Sequence, residues 1–208
     1  MIAIIDYDAG NIMSVQKACA YLGYDYVLTR DKKQILDADH VILPGVGAFA
    51  DAMGKLRMYG LDEAIYEAAD KGIPFLGICL GLQLMFERSD ESLDMGEKKD
   101  VAGLGLLKGQ ILKLSDQGGS LKIPHMGWNS LTYPNKGKLF ECIPEETYVY
   151  FVHSYYLKAS DPEIVTARTQ YGVTIDASVQ KDNLFACQFH PEKSGEWGLK
   201  ILHNFLKV

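Results

Sequence analysis

Phe75-Leu76-Gly77-Ile78-Cys79-Leu80-Gly81-Leu82-Gln83 decides how this chain folds. An apolar run the length of a buried strand enters Gly-x-Cys-x-Gly with no linker, and a helix-compatible stretch, residues 80–88, follows it. A reactive residue on a tight strand-to-helix turn is a nucleophile elbow, here built around cysteine. The glycines at 77 and 81 have a steric reason, since the turn is crowded and a Cβ at either position would meet neighbouring backbone. The turn also activates the thiol. A helix N-terminus carries roughly half a positive charge and unpaired N–H groups, which draw a cysteine below its usual ~8.5. The same N–H groups, Leu80's first, are available to an oxyanion. Taken alone, the elbow fits a small hydrophobe in a glycine-packed turn equally well.

On the N-terminal side of this stretch, Ile2-Ala3-Ile4-Ile5 is an apolar run closed by Asp6, as in a strand buried on both faces. Asn11 is placed to cap a helix in which Val15, Ala18, Cys19 and Leu22 recur at i, i+3, i+4 and i+7, and Gly23 ends it. Residues 24–29 and 40–43 read as further strands, and Leu61, Ile65, Ala68 and Ala69 line a helix ended by Gly72. Alternating strands and helices imply right-handed crossovers and a parallel sheet. On the C-terminal side, residues 89–100 are dense in charge and predict an exposed, mobile loop. Turn signals at 117–120 and 134–137 then punctuate strand-like segments at 109–114, 147–156, 164–169, 173–179 and 184–189. A helix capped by Ser194 closes the chain, with Ile201, Leu202, Phe205 and Leu206 as its buried stripe. The expectation is one α/β domain over residues 1–208. It has three layers, a mostly parallel central sheet flanked by helices, and a β-rich second half.

The 208 residues carry 21 Lys+Arg against 27 Asp+Glu, a formal net charge of −6, and 48% are hydrophobic. That supplies a core for one domain. The acidic balance argues against sequence-independent nucleic-acid binding, which needs a basic stripe. The longest apolar run, residues 73–82, is about half the ~20 residues of a membrane span. The N-terminus lacks the basic head and cleavage site of a signal peptide. Cys19, Cys79, Cys142 and Cys187 form no Cys-x-x-Cys pair. A reduced, cytoplasmic protein with no membrane or nucleic-acid partner is expected.

A thiol needs a base, and the base needs an orienter. Phe189-His190-Pro191-Glu192-Lys193-Ser194 supplies both. Pro191 pushes His190 into an extended conformation, where residues i and i+2 point to the same side. Glu192 can therefore hold the tautomer of His190 while the other ring nitrogen faces the sulfur. Without Cys79, a surface His beside a surface Glu would explain the segment. A third segment, Val41-Ile42-Leu43-Pro44-Gly45-Val46-Gly47-Ala48-Phe49, is a strand, a Gly-x-Gly turn and a helix start. It loosely matches a dinucleotide fingerprint, but the next strand ends in Ile78-Cys79 rather than in the acidic residue a ribose requires. It reads better as a loop that turns free N–H groups of Gly45, Val46 and Gly47 toward an oxyanion.

Other residues carry less. Asp6-Tyr7-Asp8 has no partner Lys and acidic pair for phosphotransfer and fits a turn. His125 and His153 rival His190 as base, but His153 lies in a dense aromatic strand and suits a satisfied, buried ring. Cys19 and Cys187 lie on apolar stripes and read as inert. No His/Cys/carboxylate grouping has metal-ligand spacing.

Together these stretches resemble the class I (triad) glutamine amidotransferases. The likeness is carried by Ile5-Asp6-Tyr7-Asp8-Ala9-Gly10-Asn11, Pro44-Gly45-Val46-Gly47-Ala48-Phe49, the Cys79 elbow and the His190-Pro191-Glu192 segment. Pro-His-Met-Gly-Trp-Asn at 124–129 and Tyr-Phe-Val-His-Ser-Tyr at 150–155 are similar to the histidine-pathway branch, the glutaminase subunits of imidazole glycerol phosphate synthases. The likeness spans nearly the whole chain. Asp8 departs from it, standing where many relatives have a smaller residue. The resemblance implies a triad of Cys79, His190 and Glu192, an oxyanion held by Leu80 and the 45–47 loop, and Gln83 helping to bind glutamine. It implies no cofactor. It also implies a heterodimer with a (β/α)₈-barrel cyclase that consumes the ammonia, with Met126, Trp128 and Tyr150 near that partner. Core packing within the subunit would explain those three equally well. Two alternatives stay open: a cysteine hydrolase or stress-response protein sharing the elbow, and a scaffolding or nucleotide-binding subunit with an inert triad.

Overall fold

The computed structural model describes residues 1–10, 12–91 and 100–208. The first half runs β1 (Ile2–Ile5), α1 (Ile12–Tyr21), β2 (Tyr26–Thr29), α2 (Lys32–Leu36), β3 (His40–Leu43), α3 (Phe49–Met58), α4 (Leu61–Asp70), β4 (Phe75–Ile78) and α5 (Leu80–Leu84). Then come β5 (Phe86–Ser89), β6 (Val101–Ala102), β7 (Leu107–Lys113), β8 (His125–Ser130), β9 (Tyr148–His153) and β10 (Tyr155–Ala159). The chain closes with β11 (Val165–Tyr171), β12 (Val173–Lys181), β13 (Leu184–Cys187) and α6 (Gly195–Phe205).

The central seven-stranded sheet has the order β11-β12-β13-β4-β3-β1-β2. Its pairings from β13 through β2 are all parallel, while β11 and β12 join antiparallel at one edge. The apolar strands are buried on both faces because side chains alternate. Ala3, Ile5, Val41, Leu43 and Phe75 face a core shared with α2, α3, α4 and a four-stranded sheet, β10-β7-β5-β6. Ile2, Ile4, Ile42, Leu76 and Ile78 face a second core filled by α1, α6 and the ribbon β8-β9. The three layers and the mostly parallel sheet match the expectation.

Four local expectations are corrected. The helix expected over 80–88 stops at Leu84, because residues 86–89 are taken up as β5, hydrogen-bonded between β6 and β7. Tertiary strand pairing overrides a run that reads as helix locally. The strand expected at 147–156 is two strands parted at Ser154, one paired with β8 and the other with β7. Ser194 stands at the N-terminus of α6, but its hydroxyl makes no cap bond. It donates to the His190 carbonyl at 2.6 Å and accepts from Tyr150 N–H at 2.9 Å. The loop expected at 89–100 opens on fully buried Ser89 and on Asp90, whose N–H donates to Ile111 O at 3.0 Å; residues 92–99 lie outside the described residues. So does Asn11, expected as the cap of α1. Among the described residues, no helix is long and apolar enough to cross a membrane.

Candidate active site

The carboxyl ends of parallel strands are where α/β sheets leave room for a ligand. The loops leaving β1, β3, β4 and β13 all arrive there, and they carry the 6–10, 45–47, Cys79 and 190–192 stretches.

Cys79 leaves β4 with φ 55° and ψ −109°, a strained conformation for a residue with a Cβ. Its N–H donates to the Cys187 carbonyl at 2.8 Å, which fixes the turn against β13. A Cβ at Gly81 would lie 1.8 Å from Leu43 O, and one at Gly77 would lie 2.8 Å from the Gly81 backbone and 2.6 Å from the Met85 sulfur. Both glycines are therefore required by close approach. Gln188, fully buried, donates its amide N–H to Cys79 Sγ at 3.7 Å. Sequence reasoning missed Gln188, although a lone amide in the apolar run 184–189 was a usable signal.

Glu192 Oε1 lies 2.8 Å from His190 Nδ1, and both side chains are almost wholly buried. The carboxylate accepts that N–H and fixes the tautomer. His190 Nε2 has no partner with ordinary hydrogen-bond geometry, so its free direction is toward Cys79. Burial alone lowers the His190 pKa, but the Cys79 sulfur and the Glu192 carboxylate outweigh it and raise the ring to about 10. The three candidate triad residues thus form one electrostatic unit. The backbone N–H of His190 donates to Tyr150 O at 2.9 Å, so this residue is also tied to β9.

Beside the sulfur lies a cavity of about 300 Å³, the lower end of the range for small-ligand sites. The 45–47 loop contributes Val46 and Gly47, the elbow contributes Cys79, Leu80 and Gln83, and Val152, His153, Ser154 and Tyr155 form the far wall. Among the described residues Glu91 is the only carboxylate lining it, and the density of charge around this residue hid it in the sequence. One Glu91 oxygen accepts Phe49 N–H at 2.7 Å, and burial raises the pKa of the carboxyl. Gln83 donates to Tyr155 O and to Gln188 Oε1, both at 3.0 Å. With its two amide hydrogens placed inside the protein, it can offer a ligand only its carbonyl. The expectation of a free Leu80 N–H is corrected: that N–H donates to Gly45 O at 3.3 Å. The loop has turned a carbonyl, rather than an N–H, into the position an oxyanion would need. Gly45 itself has no room for a Cβ, since Tyr7 Oη would be 2.1 Å away, and that hydroxyl donates to Pro44 O at 2.8 Å.

The remaining residues fall where their surroundings put them. Asp6 accepts the Asp8 N–H at 3.1 Å and is bonded by Arg30, a turn role as expected. His153 is buried and hydrogen-bonded to His125 and to Tyr155 O, and it does not reach the sulfur as a base. Cys19 and Cys187 are fully buried, and burial pushes the Cys19 thiol up to about 12. Cys142 is exposed. Met126 and Trp128 are 62% and 55% exposed, while Tyr150 is half-buried, with its ring edge-on to Trp128 at 6.2 Å. Core packing therefore does not explain Met126 and Trp128. Among the described residues, no group of three or more His, Cys, Asp or Glu could hold a metal ion.

Residues 3–208 match the family "Glutamine amidotransferase class-I". The chain is 52% identical to the imidazole glycerol phosphate synthase subunit HisH of Moorella thermoacetica, over 98% of this chain and 93% of that one. It is also 52% identical to the HisH of Bacillus cereus, over 100% of this chain and 95% of that one. Among solved structures, a glutamine amidotransferase aligns with TM-score 0.73 at 18% identity, covering 100% of this chain and 98% of the other. PurLQS from Thermotoga maritima aligns with TM-score 0.71 at 24% identity, covering 99% and 97%. These two likenesses concern the fold. A family match over almost every residue, joined to half-identical relatives of the same length, places this chain among the class-I glutamine amidotransferases.

Proposed function

We propose that the chain is the glutamine amidotransferase subunit of an imidazole glycerol phosphate synthase in histidine biosynthesis, and that Cys79, His190 and Glu192 are its catalytic triad. The observation that carries the site assignment is the Cys79–His190–Glu192 unit, whose sulfur lines the cavity. Glutamine enters with its α-ammonium toward Glu91 and its amide toward Cys79. Cys79 gives its proton to His190 Nε2, and the resulting thiolate bonds to the amide carbon as the carbonyl π pair moves onto oxygen. His190 Nε2–H protonates the departing nitrogen, the C–N bond breaks, and ammonia leaves a γ-glutamyl thioester. His190, now neutral, takes a proton from water as the hydroxyl attacks the thioester. The second oxyanion collapses, the C–S bond breaks, His190 returns its proton to the sulfur, and glutamate leaves with the thiol restored. Glu192 holds Nδ1–H throughout.

The oxyanion needs the Leu80 N–H, which here is engaged by Gly45 O. Rotating the Gly45–Val46 peptide removes that carbonyl and brings the Val46 N–H around to the same side. The isolated chain is therefore a slow glutaminase, and a cyclase partner accelerates it and receives the ammonia. Met126 and Trp128, exposed on β8, are its docking residues, with Tyr150 beside them.

A diazo-ketone analogue of glutamine tests the assignment. It should alkylate Cys79 and spare exposed Cys142, Cys79→Ala should abolish both labelling and hydrolysis, and added cyclase should raise turnover at least about tenfold. Labelling at Cys142, or full activity in the Ala variant, would refute the triad. Equal rates with and without the cyclase would refute the coupling.

A further inference from the structure

We propose that His125 and His153 are positioning residues for the far wall of the glutamine cavity, acting as a one-directional hydrogen-bond chain that starts at Asn129 and ends on the Tyr155 carbonyl. The two histidines face each other as the last rung of the antiparallel ribbon β8-β9. His153 Nδ1 lies 2.9 Å from Tyr155 O, His153 Nε2 lies 3.0 Å from His125 Nδ1, and His125 Nε2 lies 3.4 Å from Asn129 Nδ2.

The chemistry of the two ends fixes every proton between them. A carbonyl only accepts, so His153 Nδ1 carries a hydrogen and, in a neutral ring, Nε2 does not. His125 Nδ1 must then donate, which leaves its Nε2 as an acceptor. At the other end Asn129 Nδ2 can only donate, so both ends demand the same polarity. The second Asn129 hydrogen goes to Gln170 O at 2.9 Å. Burial keeps both rings neutral, pushing His125 down to about 4 and His153 to about 3. The His125 ring is stacked between Phe151 and Tyr171, with centroids 4.8 and 4.0 Å away.

The Tyr155 carbonyl is where this chain meets the catalytic side. It also accepts from Gln83, which bonds Gln188, which in turn bonds Cys79 Sγ. Where β9 passes into β10, the Tyr155 carbonyl thus joins the ribbon to the elbow through two side-chain hydrogen bonds. Ser154, at the break between β9 and β10, is otherwise held by one backbone bond, from Leu114 N–H to its carbonyl at 2.9 Å. Removing the histidine donor loosens the Tyr155 carbonyl at the cavity wall, while Cys79 Sγ keeps its own 3.9 Å contact with Val152 O. The effect falls on substrate binding ahead of chemistry.

This inference rests on the glutaminase function for its kinetic arm only. With ¹⁵N-histidine in the full chain, two-bond ¹H–¹⁵N spectra near pH 7 should show His125 and His153 both protonated on Nδ1 and bare on Nε2. Either ring protonated on Nε2 would overturn the chain. In the presence of cyclase, His125→Leu should raise the KM for glutamine about five- to tenfold with kcat within about twofold. His125→Asn, whose amide N–H stands in for Nδ1–H, should restore KM to within about twofold of the wild type. A KM unchanged in the Leu variant would overturn the positioning role. If that variant does not fold, or if the wild type hydrolyses no glutamine, the spectra decide. The latter result would refute the glutaminase function and leave the tautomers standing.

Discussion

Glu192 accepts one N–H from His190 inside the protein, and that single bond decides which ring nitrogen faces the sulfur. Glu192→Gln keeps the shape and loses the charge that fixes the tautomer. We expect kcat for glutamine hydrolysis to fall about 10²-fold or more, with the circular-dichroism spectrum unchanged. A rate within about threefold of the wild type would mean that another group orients His190. Much of this chemistry was legible in the sequence, because Cys79 lies between glycines and His190 and Glu192 are two residues apart. Gln188 and Glu91 were not. Their places depend on a contact with Cys79, 109 positions from Gln188, and on a cavity assembled from stretches far apart in the chain.

The elbow and the helices respond to a Cβ in opposite ways. Gly81→Ala would drive a methyl into the Leu43 carbonyl, both of them backbone-anchored, and should cost about 3 kcal/mol or more in denaturant unfolding. Gly54, inside α3, has no atom within 4 Å of its would-be Cβ. There, Gly54→Ala should stabilise by about 0.5–1 kcal/mol through helix propensity alone. Equal effects at the two sites would show that the elbow is looser than its contacts indicate. The apolar spacing of α1, α4 and α6 was readable because a helix buries one stripe. Residues 86–89 were not, because what makes them a strand is a partner at 107–111 rather than their own pattern.

Across the molecule, buried histidines of opposite tendency bound the stable pH range. His125 and His153 stay neutral in the fold, with pKa about 4 and 3, whereas the unfolded chain protonates them near 6.5. As pH falls below 6.5 the unfolded state takes up protons that the native state refuses, so stability is lost. Each ring accounts for about 1.4 kcal/mol by pH 5.5. His190 has the opposite sign. Raised to about 10 in the fold, its contribution is complete below about 6.5 and is lost as pH climbs through 10. Urea unfolding at pH 7.5 and 5.5 should show His125→Asn losing about 1.4 kcal/mol less than the wild type over that interval. Identical losses would mean that His125 is protonated in the folded protein.

From its residues alone the chain specified a mostly parallel α/β sheet, a cysteine on a tight turn, and a histidine with its carboxylate at a strand end. Each of these follows from rules acting within a few residues: apolar periodicity, glycine sterics, and the two-residue alternation of extended backbone. Only tertiary structure decided that the Leu80 N–H is engaged by Gly45, that 86–89 pair as a strand, and that two histidines 28 positions apart share one proton chain. Those outcomes depend on which carbonyl or ring nitrogen arrives from a distant segment, and hydrogen-bond partners are chosen by the folded surroundings rather than by neighbours in sequence.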